Sequence, residues 1–224
     1  MFKVRNFDQF IKGFKSKNFS LDNAPVKFFK DKETVLKMAP YDNFGALYNY
    51  LPKKFQKDEK FISQLVNING YMFLKANRFH ENSDMALSAV KTCPDAAAFL
   101  NLNGENGYNI AKEAVDTNAF AYRHLKKFTD DSQIIISALS SQGILYRYLS
   151  PQNQCVEDYA KVALASTPFA YRFLPKELQP SVELASIAIS ADKGYAYSIY
   201  KDLLIKEVQA DPYVSALAVS KNIQ

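Results

Sequence analysis

Apolar residues in this chain return as pairs at a nearly fixed interval. Ala89-Val90, Ala114-Val115, Ala138-Leu139, Ala163-Leu164 and Ala188-Ile189 are spaced 25, 24, 25 and 25 residues apart. Gln64-Leu65 falls in the same register, and Pro40 lies 24 residues before Gln64. Five residues past the anchor stands Gly45, Pro94, Gly143 or Pro168, and Gly70 and Gly194 come one place later. Glycine permits backbone angles that other residues avoid and proline removes a donor, so each is a break in a helix. After the break comes a second phrase: Tyr48-Asn49-Tyr50-Leu51, Tyr122-Arg123-His124-Leu125, Tyr146-Arg147-Tyr148-Leu149 and Tyr171-Arg172-Phe173-Leu174. Each unit therefore reads as helix, turn, helix. A period in this range belongs to stacked repeats that cannot bury an apolar face alone.

The pattern predicts an all-α protein, an α-solenoid of short helix-turn-helix repeats with a period of 24–25 residues, wound in either hand. Units are expected at 30–56, 57–80, 81–104, 105–129, 130–154, 155–179 and 180–210, with helices of eight to eleven residues. In unit 130–154, Ile134, Ile135, Ala138 and Leu139 form one buried stripe at helical spacing. Asp130-Asp131-Ser132, Pro180-Ser181 and Asp211-Pro212 are helix starts. Three regions result: a capping helix and basic segment at 1–29, the repeat domain at 30–210, and a closing helix at 211–224.

Composition narrows the class. Apolar content of 48% with 23% charged residues is that of a folded globular chain. Cys93 and Cys155 lack metal-ligand spacing and read as reduced, buried thiols. Lys3, Arg5, Asp8 and Lys12 interrupt any secretory apolar core, and no apolar run reaches the ~18 residues of a membrane span. A soluble cytoplasmic protein, in its own cell or in a host cell, is the expectation. The formal charge of +5 is uneven: residues 1–60 carry 13 Lys/Arg and 7 Asp/Glu, the rest 15 and 16. A nucleic-acid-binding solenoid carries its basic stripe along its length, so this distribution counts against that role.

The Asp-led first helix, small-aliphatic anchor, glycine turn and Tyr-Arg-Tyr-Leu phrase resemble the tandem repeats called domain of unknown function 4116. Asp130–Gln154 carries the likeness best, with Glu105–Thr129 and Cys155–Gln179 close behind; it spans about residues 30–210. Unit 81–104 departs from it, with Ala96-Ala97-Ala98-Phe99-Leu100 where Tyr-Arg is expected. The resemblance implies a helical repeat fold and no activity. It also implies a setting in viruses, phages or intracellular pathogens, and so a host-directed binding role.

Candidate chemistry is of the binding kind. Arg123, Arg147 and Arg172 hold equivalent places in three consecutive units and would form a guanidinium ladder for carboxylates or phosphates. The competing reading is a solvated or locally paired helix position; Asn49 and Ser198 occupy comparable places. Tyr48, Tyr122, Tyr146 and Tyr171 read as core, with Leu three residues on, rather than as base-stacking platforms. Phe7, Phe10, Ile11 and Phe14 alternate with Lys12, Lys15 and Lys17, as in a solenoid cap or in a membrane-surface or partner-docking helix. Lys27, Lys30, Lys32 and Lys37 extend that positive patch. His80 and His124 have no ligand-spaced neighbours, no nucleotide or nucleophile motif occurs, and neither metal nor cofactor is expected. The resulting expectation is a non-catalytic adaptor or inhibitor that binds a protein, a host factor in the setting the resemblance implies. Its contacts are Arg123, Arg147, Arg172, Lys12, Lys15, Lys17, Lys27 and Lys30. The alternative is RNA or DNA binding through the basic N-terminal quarter and the Arg ladder.

Overall fold

The computed structural model describes residues 6–191 and 198–222. Gly194, one of the expected turn residues, lies outside them, as do Lys3 and Arg5. Among the described residues every regular element is helical and none is a strand. The chain divides between Ile110 and Ala111 into two compact units.

In the first unit, helix Phe7–Lys15 buries Phe10, whose ring lies 5.8 Å from Phe28 and 6.3 Å from Phe19. The apolar face of this helix is thus covered from within its own unit. Helices Lys32–Met38, Glu59–Ile68 and Ser83–Val90 follow, and successive ones pack together. Each starts on a side-chain cap. Asp31, Asp58 and Asn82 accept from the backbone N–H of Thr34, Phe61 and Met85 at 2.9, 3.1 and 2.9 Å. These caps satisfy donors that a helix start leaves unpaired.

The second unit repeats the scheme. Asp131 caps helix Ser132–Ser141, Ser181 caps Val182–Ala191, and Asp211 caps Pro212–Asn222. Helix Glu157–Ser166 starts without such a cap, because Val156 stands in the capping place. Ile134, Ile135, Ala138 and Leu139 are all buried, as their spacing predicts. So are Ala89, Ala114, Ala163 and Ala188. The anchor shifts at the N-terminal end: Gln64 is exposed, and Leu65-Val66 fills the place of Ala89-Val90. With that shift Gly70 also lies five residues past its anchor. Pro40 is exposed, and Met38 and Ala39 are buried in its stead.

Gly143 and Pro168 do interrupt the helices, which stop at Ser141 and Ser166. The second element of a unit is not an α-helix of eight to eleven residues, however. It is a 3₁₀ helix at Ala46–Tyr50, Pro94–Phe99, Ala119–His124, Gly143–Tyr148 and Pro168–Phe173, whereas Tyr71–Lys75 is α-helical and Ile199–Leu203 a π-helix. The reason lies in the phrase. A 3₁₀ helix has three residues per turn and eclipses positions i and i+3. Gly143, Tyr146 and Leu149 share that period and are all buried; Ala119, Tyr122 and Leu125 do the same.

Each buried phenol of the second unit bonds a carbonyl seven or eight residues further along the chain. The hydroxyl of Tyr171 donates to the Gln179 carbonyl at 2.5 Å, that of Tyr122 to Thr129 at 2.8 Å, and that of Tyr146 to Gln154. The same glutamines reach back: Gln154 Nε2 donates to the Tyr146 carbonyl at 3.4 Å and Gln179 Nε2 to the Leu174 carbonyl at 3.0 Å. Gln56 and Gln209 repeat that reach onto Leu51 and Leu204. Burial pushes the phenols of Tyr122 and Tyr171 up to about 12, and that of Tyr146 higher still.

A second bond joins a turn to the end of the α-helix that follows. The Gly143 N–H donates to Ser166 Oγ at 3.2 Å, and the Gly70 N–H to Thr92 Oγ1 at 2.6 Å. A Cβ on Gly143 would stand 2.0 Å from the Ala163 carbonyl oxygen, and one on Gly70 2.1 Å from that of Ala89. The turn glycine is required by the neighbouring backbone, not by its own torsion. Gly143→Ala is therefore expected to cost about 2–3 kcal/mol through backbone overpacking. Gly104→Ala meets no atom within 4 Å at φ +86° and should cost only about 1 kcal/mol of torsional strain. Urea unfolding of the two variants measures the difference, and equal losses would refute the close-approach account.

Candidate functional site

The three arginines lie on consecutive 3₁₀ helices of the second unit, and all are exposed. Three residues per turn places each over the residue three before it. The Arg123 guanidinium accordingly sits 5.7 Å from the Phe120 ring centre, and that of Arg172 6.0 Å from Phe169. Arg147 has Ile144 in that place and turns to Tyr148 at 4.6 Å instead. Each of the first two also reaches the aromatic one place past the next arginine: Arg123 to Tyr148 at 5.6 Å, Arg147 to Phe173 at 5.8 Å. The result is an alternation, Phe120, Arg123, Tyr148, Arg147, Phe173, running across three repeats. Contacts of this kind contribute about 0.5–1 kcal/mol each at exposed sites.

Tyr148 is the junction. It is 39% exposed, its hydroxyl oxygen accepts from the Arg147 guanidinium group, and the Arg123 guanidinium lies 5.6 Å from its ring centre. These two cations hold its phenol below the ordinary value, Arg147 more strongly than Arg123. Among the described residues no carboxylate lies within 4.0 Å of Arg147 or Arg172. These positions are paired with rings, and the ladder faces solvent.

The lysines lie in the other unit. Lys12, Lys15, Lys17, Lys27 and Lys30 belong to the first unit, where all five are exposed. Lys15 and Lys17 come together on a cleft of about 530 Å³ also lined by Asp22, Tyr41, Asp42 and Tyr50, and the Lys15 ammonium lies 4.6 Å from the Tyr41 ring centre. Lys27 lies over Phe28 at 5.8 Å. Lys32 and Lys37 do not extend a free positive patch, because they pair with Asp58 and Glu33.

Asp42, silent in the sequence, is the buried acid of that cleft. It is 6% exposed, and its carboxylate accepts from the Leu47 N–H at 3.0 Å. Burial pushes it up to about 6, against the lowering by backbone N–H groups. Cys93 is buried, whereas Cys155 is exposed, because it caps the one-turn helix Pro151–Gln154 outside the apolar face. The His80 ring stacks 4.1 Å from Phe99, with Nε2 3.0 Å from the Phe73 carbonyl oxygen, which makes it a packing residue. No cluster of His, Cys, Asp or Glu among the described residues is arranged to hold a metal. Nor is any described helix long and apolar enough to cross a membrane.

No family model matches this chain, and no curated protein or solved structure matches it.

Two titrations test this geometry. Arg147→Met should raise the Tyr148 phenol toward its ordinary value, and Arg123→Met should raise it less; carbon-13 NMR of the labelled tyrosine ring carbon reads both. For Asp42 the folded value exceeds the unfolded one, so its neutral form adds stability below pH 4 that disappears as pH rises toward 6. At about 1.4 kcal/mol per pKa unit, that loss is no more than about 3 kcal/mol. Asp42→Asn should abolish this decline and gain stability over the parent at neutral pH; an unchanged pH profile of unfolding would refute it.

Proposed function

We propose that this chain is a non-catalytic helical repeat protein, built like an α-solenoid within each unit, that binds a protein partner through the Arg–aromatic ladder. It acts as an adaptor or as a stoichiometric inhibitor. One observation carries the reading. Three arginines (Arg123, Arg147 and Arg172), the exposed Tyr148 and Phe169 and the half-buried Phe120 repeat on one series of 3₁₀ helices, and they contribute little to the core. Arginine and aromatic side chains are the residues that dominate protein–protein binding energies. The phenols most displaced by burial, those of Tyr122, Tyr146 and Tyr171, are already bonded to carbonyls of their own repeats, which is a folding duty.

Charge favours a protein over a nucleic acid at this site. Residues 111–224 contain twelve Lys/Arg and twelve Asp/Glu, so the unit that carries the ladder has no net charge. A polyphosphate gains most of its affinity from net positive charge and counterion release. The basic excess lies in the first unit, where Lys15 and Lys17 share their cleft with two carboxylates.

Capture of partners from a lysate, with and without nuclease, tests the reading against Arg147→Glu and Phe169→Ala. Each variant should reduce capture of a nuclease-insensitive protein by about tenfold or more, in line with loss of one interface hot spot, while circular dichroism and thermal unfolding stay unchanged. Capture that survives both substitutions, or that vanishes with nuclease, would overturn it.

A further inference from the structure

We infer that helix Pro212–Asn222 pairs with the same helix of a second copy of this chain, antiparallel and centred on Ala216. Caps put the α-helices of the repeats in a common register. Asp31, Asp58, Asn82, Asp131, Ser181 and Asp211 each accept from the N–H three residues on. Eight residues past the cap stand Ala39, Val66, Val90, Leu139 and Ile189, all buried. Val219 holds that place in Pro212–Asn222 and is 56% exposed. Two residues past the cap stand Glu33, Lys60, Asp84, Gln133 and Glu183, which are exposed and polar. There the same helix has Tyr213, 63% exposed. Both departures add apolar surface to a helix whose inner face is already used. Val214 and Ala218 are buried, and Val182–Ala191 packs against it. Apolar residues on both faces belong to a helix that is covered on both.

The open face matches itself. Its exposed side chains are Pro212, Tyr213, Ala216, Val219 and Ser220, and none is charged. Positions 212 and 220, like 213 and 219, are equidistant from 216. At 3.6 residues per turn, Tyr213 and Val219 lie about 60° to either side of Ala216. An antiparallel copy therefore sets each Tyr213 ring against the other's Val219, with Ala216 facing Ala216 so that the backbones approach closely. A two-fold interface requires such a self-complementary patch. Charge chooses the direction. Lys221 is the sole charged residue of the helix, and Asp211 caps its start. Antiparallel pairing lays the Asp211 end of each helix beside the Lys221 end of the other copy and opposes the two helix dipoles. Parallel pairing would bring like charges together. Eleven residues span about 16 Å, so the contact is small and the dimer forms as concentration rises.

Sedimentation velocity of the full chain over a concentration series tests the pairing. The parent should pass from monomer to dimer as concentration rises. Ala216→Glu and Ala216→Lys each set like charges on the two-fold axis and should weaken association about tenfold or more, with circular dichroism unchanged. Mixed in equal amounts, the two variants should form a heterodimer, since the axis then joins a carboxylate to an ammonium group. Tyr213→Gln, which restores the polarity that Gln133 has at this place, should weaken the parent dimer as well. A parent that stays monomeric throughout, a dimer that survives both Ala216 substitutions or Tyr213→Gln undiminished, or a mixture that remains monomeric would overturn the pairing.

Discussion

The joint between helices Ser132–Ser141 and Glu157–Ser166 depends on how closely one turn approaches the helix that follows it. Gly143 brings its backbone against the carbonyl of Ala163, and its N–H is taken by Ser166. Gly70 makes the same approach to Ala89 and Thr92 in the first unit. Both partners of the contact are small because it is made between backbones. The anchor alanine does not merely fill an apolar seam; it offers its carbonyl and leaves room for a glycine to reach it. Hydroxyls three residues past Ala163 and Ala89 then satisfy an N–H that a buried turn would otherwise leave unpaired. At both places the contact holds the turn and the helix in register.

Register then determines what the surface presents. A six-residue segment such as Gly143–Tyr148 is short for an α-helix, and Gly143 and Tyr146, both buried, stand three apart in it. The 3₁₀ helix puts Gly143, Tyr146 and Leu149 inward on one row. The same period puts Phe120 beneath Arg123 and Phe169 beneath Arg172 on an outer row. Core and ladder are two rows of one helix. A true α-helix would carry i+3 off by a sixth of a turn and misalign both.

The all-helical class was legible because the anchors, breaks and caps obey simple local rules. Asp131 and Asp211 begin helices where their position predicts, and Ile134, Ile135, Ala138 and Leu139 are buried as their spacing demands. Four things were not legible. Register slipped by one at Gln64, because an exposed polar residue beside Leu65 imitates the small-aliphatic pair of later units. The second elements read as α because i and i+3 share a face in both helix types; the recurring residue three places before each Tyr (Gly143, Pro168, Ala119) was the signal for a period of three. The glutamines were missed for a related reason. Gln56, Gln154 and Gln179 each fall eight residues past a repeat tyrosine, yet their partners are carbonyls, which no side-chain pattern announces. Arg123, Arg147 and Arg172 were found as a row, while the rings that pair with them were visible only once the repeats were folded.

The ring pairing also bears on how such a surface remains usable. A free arginine is mobile and loses side-chain entropy when a partner orders it. Held against Tyr148 and Phe173, the Arg147 guanidinium is already oriented, and weak ring contacts cost little to keep. An internal carboxylate would orient it as well, but would have to be displaced before an external partner could bind. Aromatic partners preorganise this cation without neutralising it. That distinction separates an arginine kept for structure, which finds an acid of its own as Lys161 does with Glu157 and Glu183, from one kept for a partner.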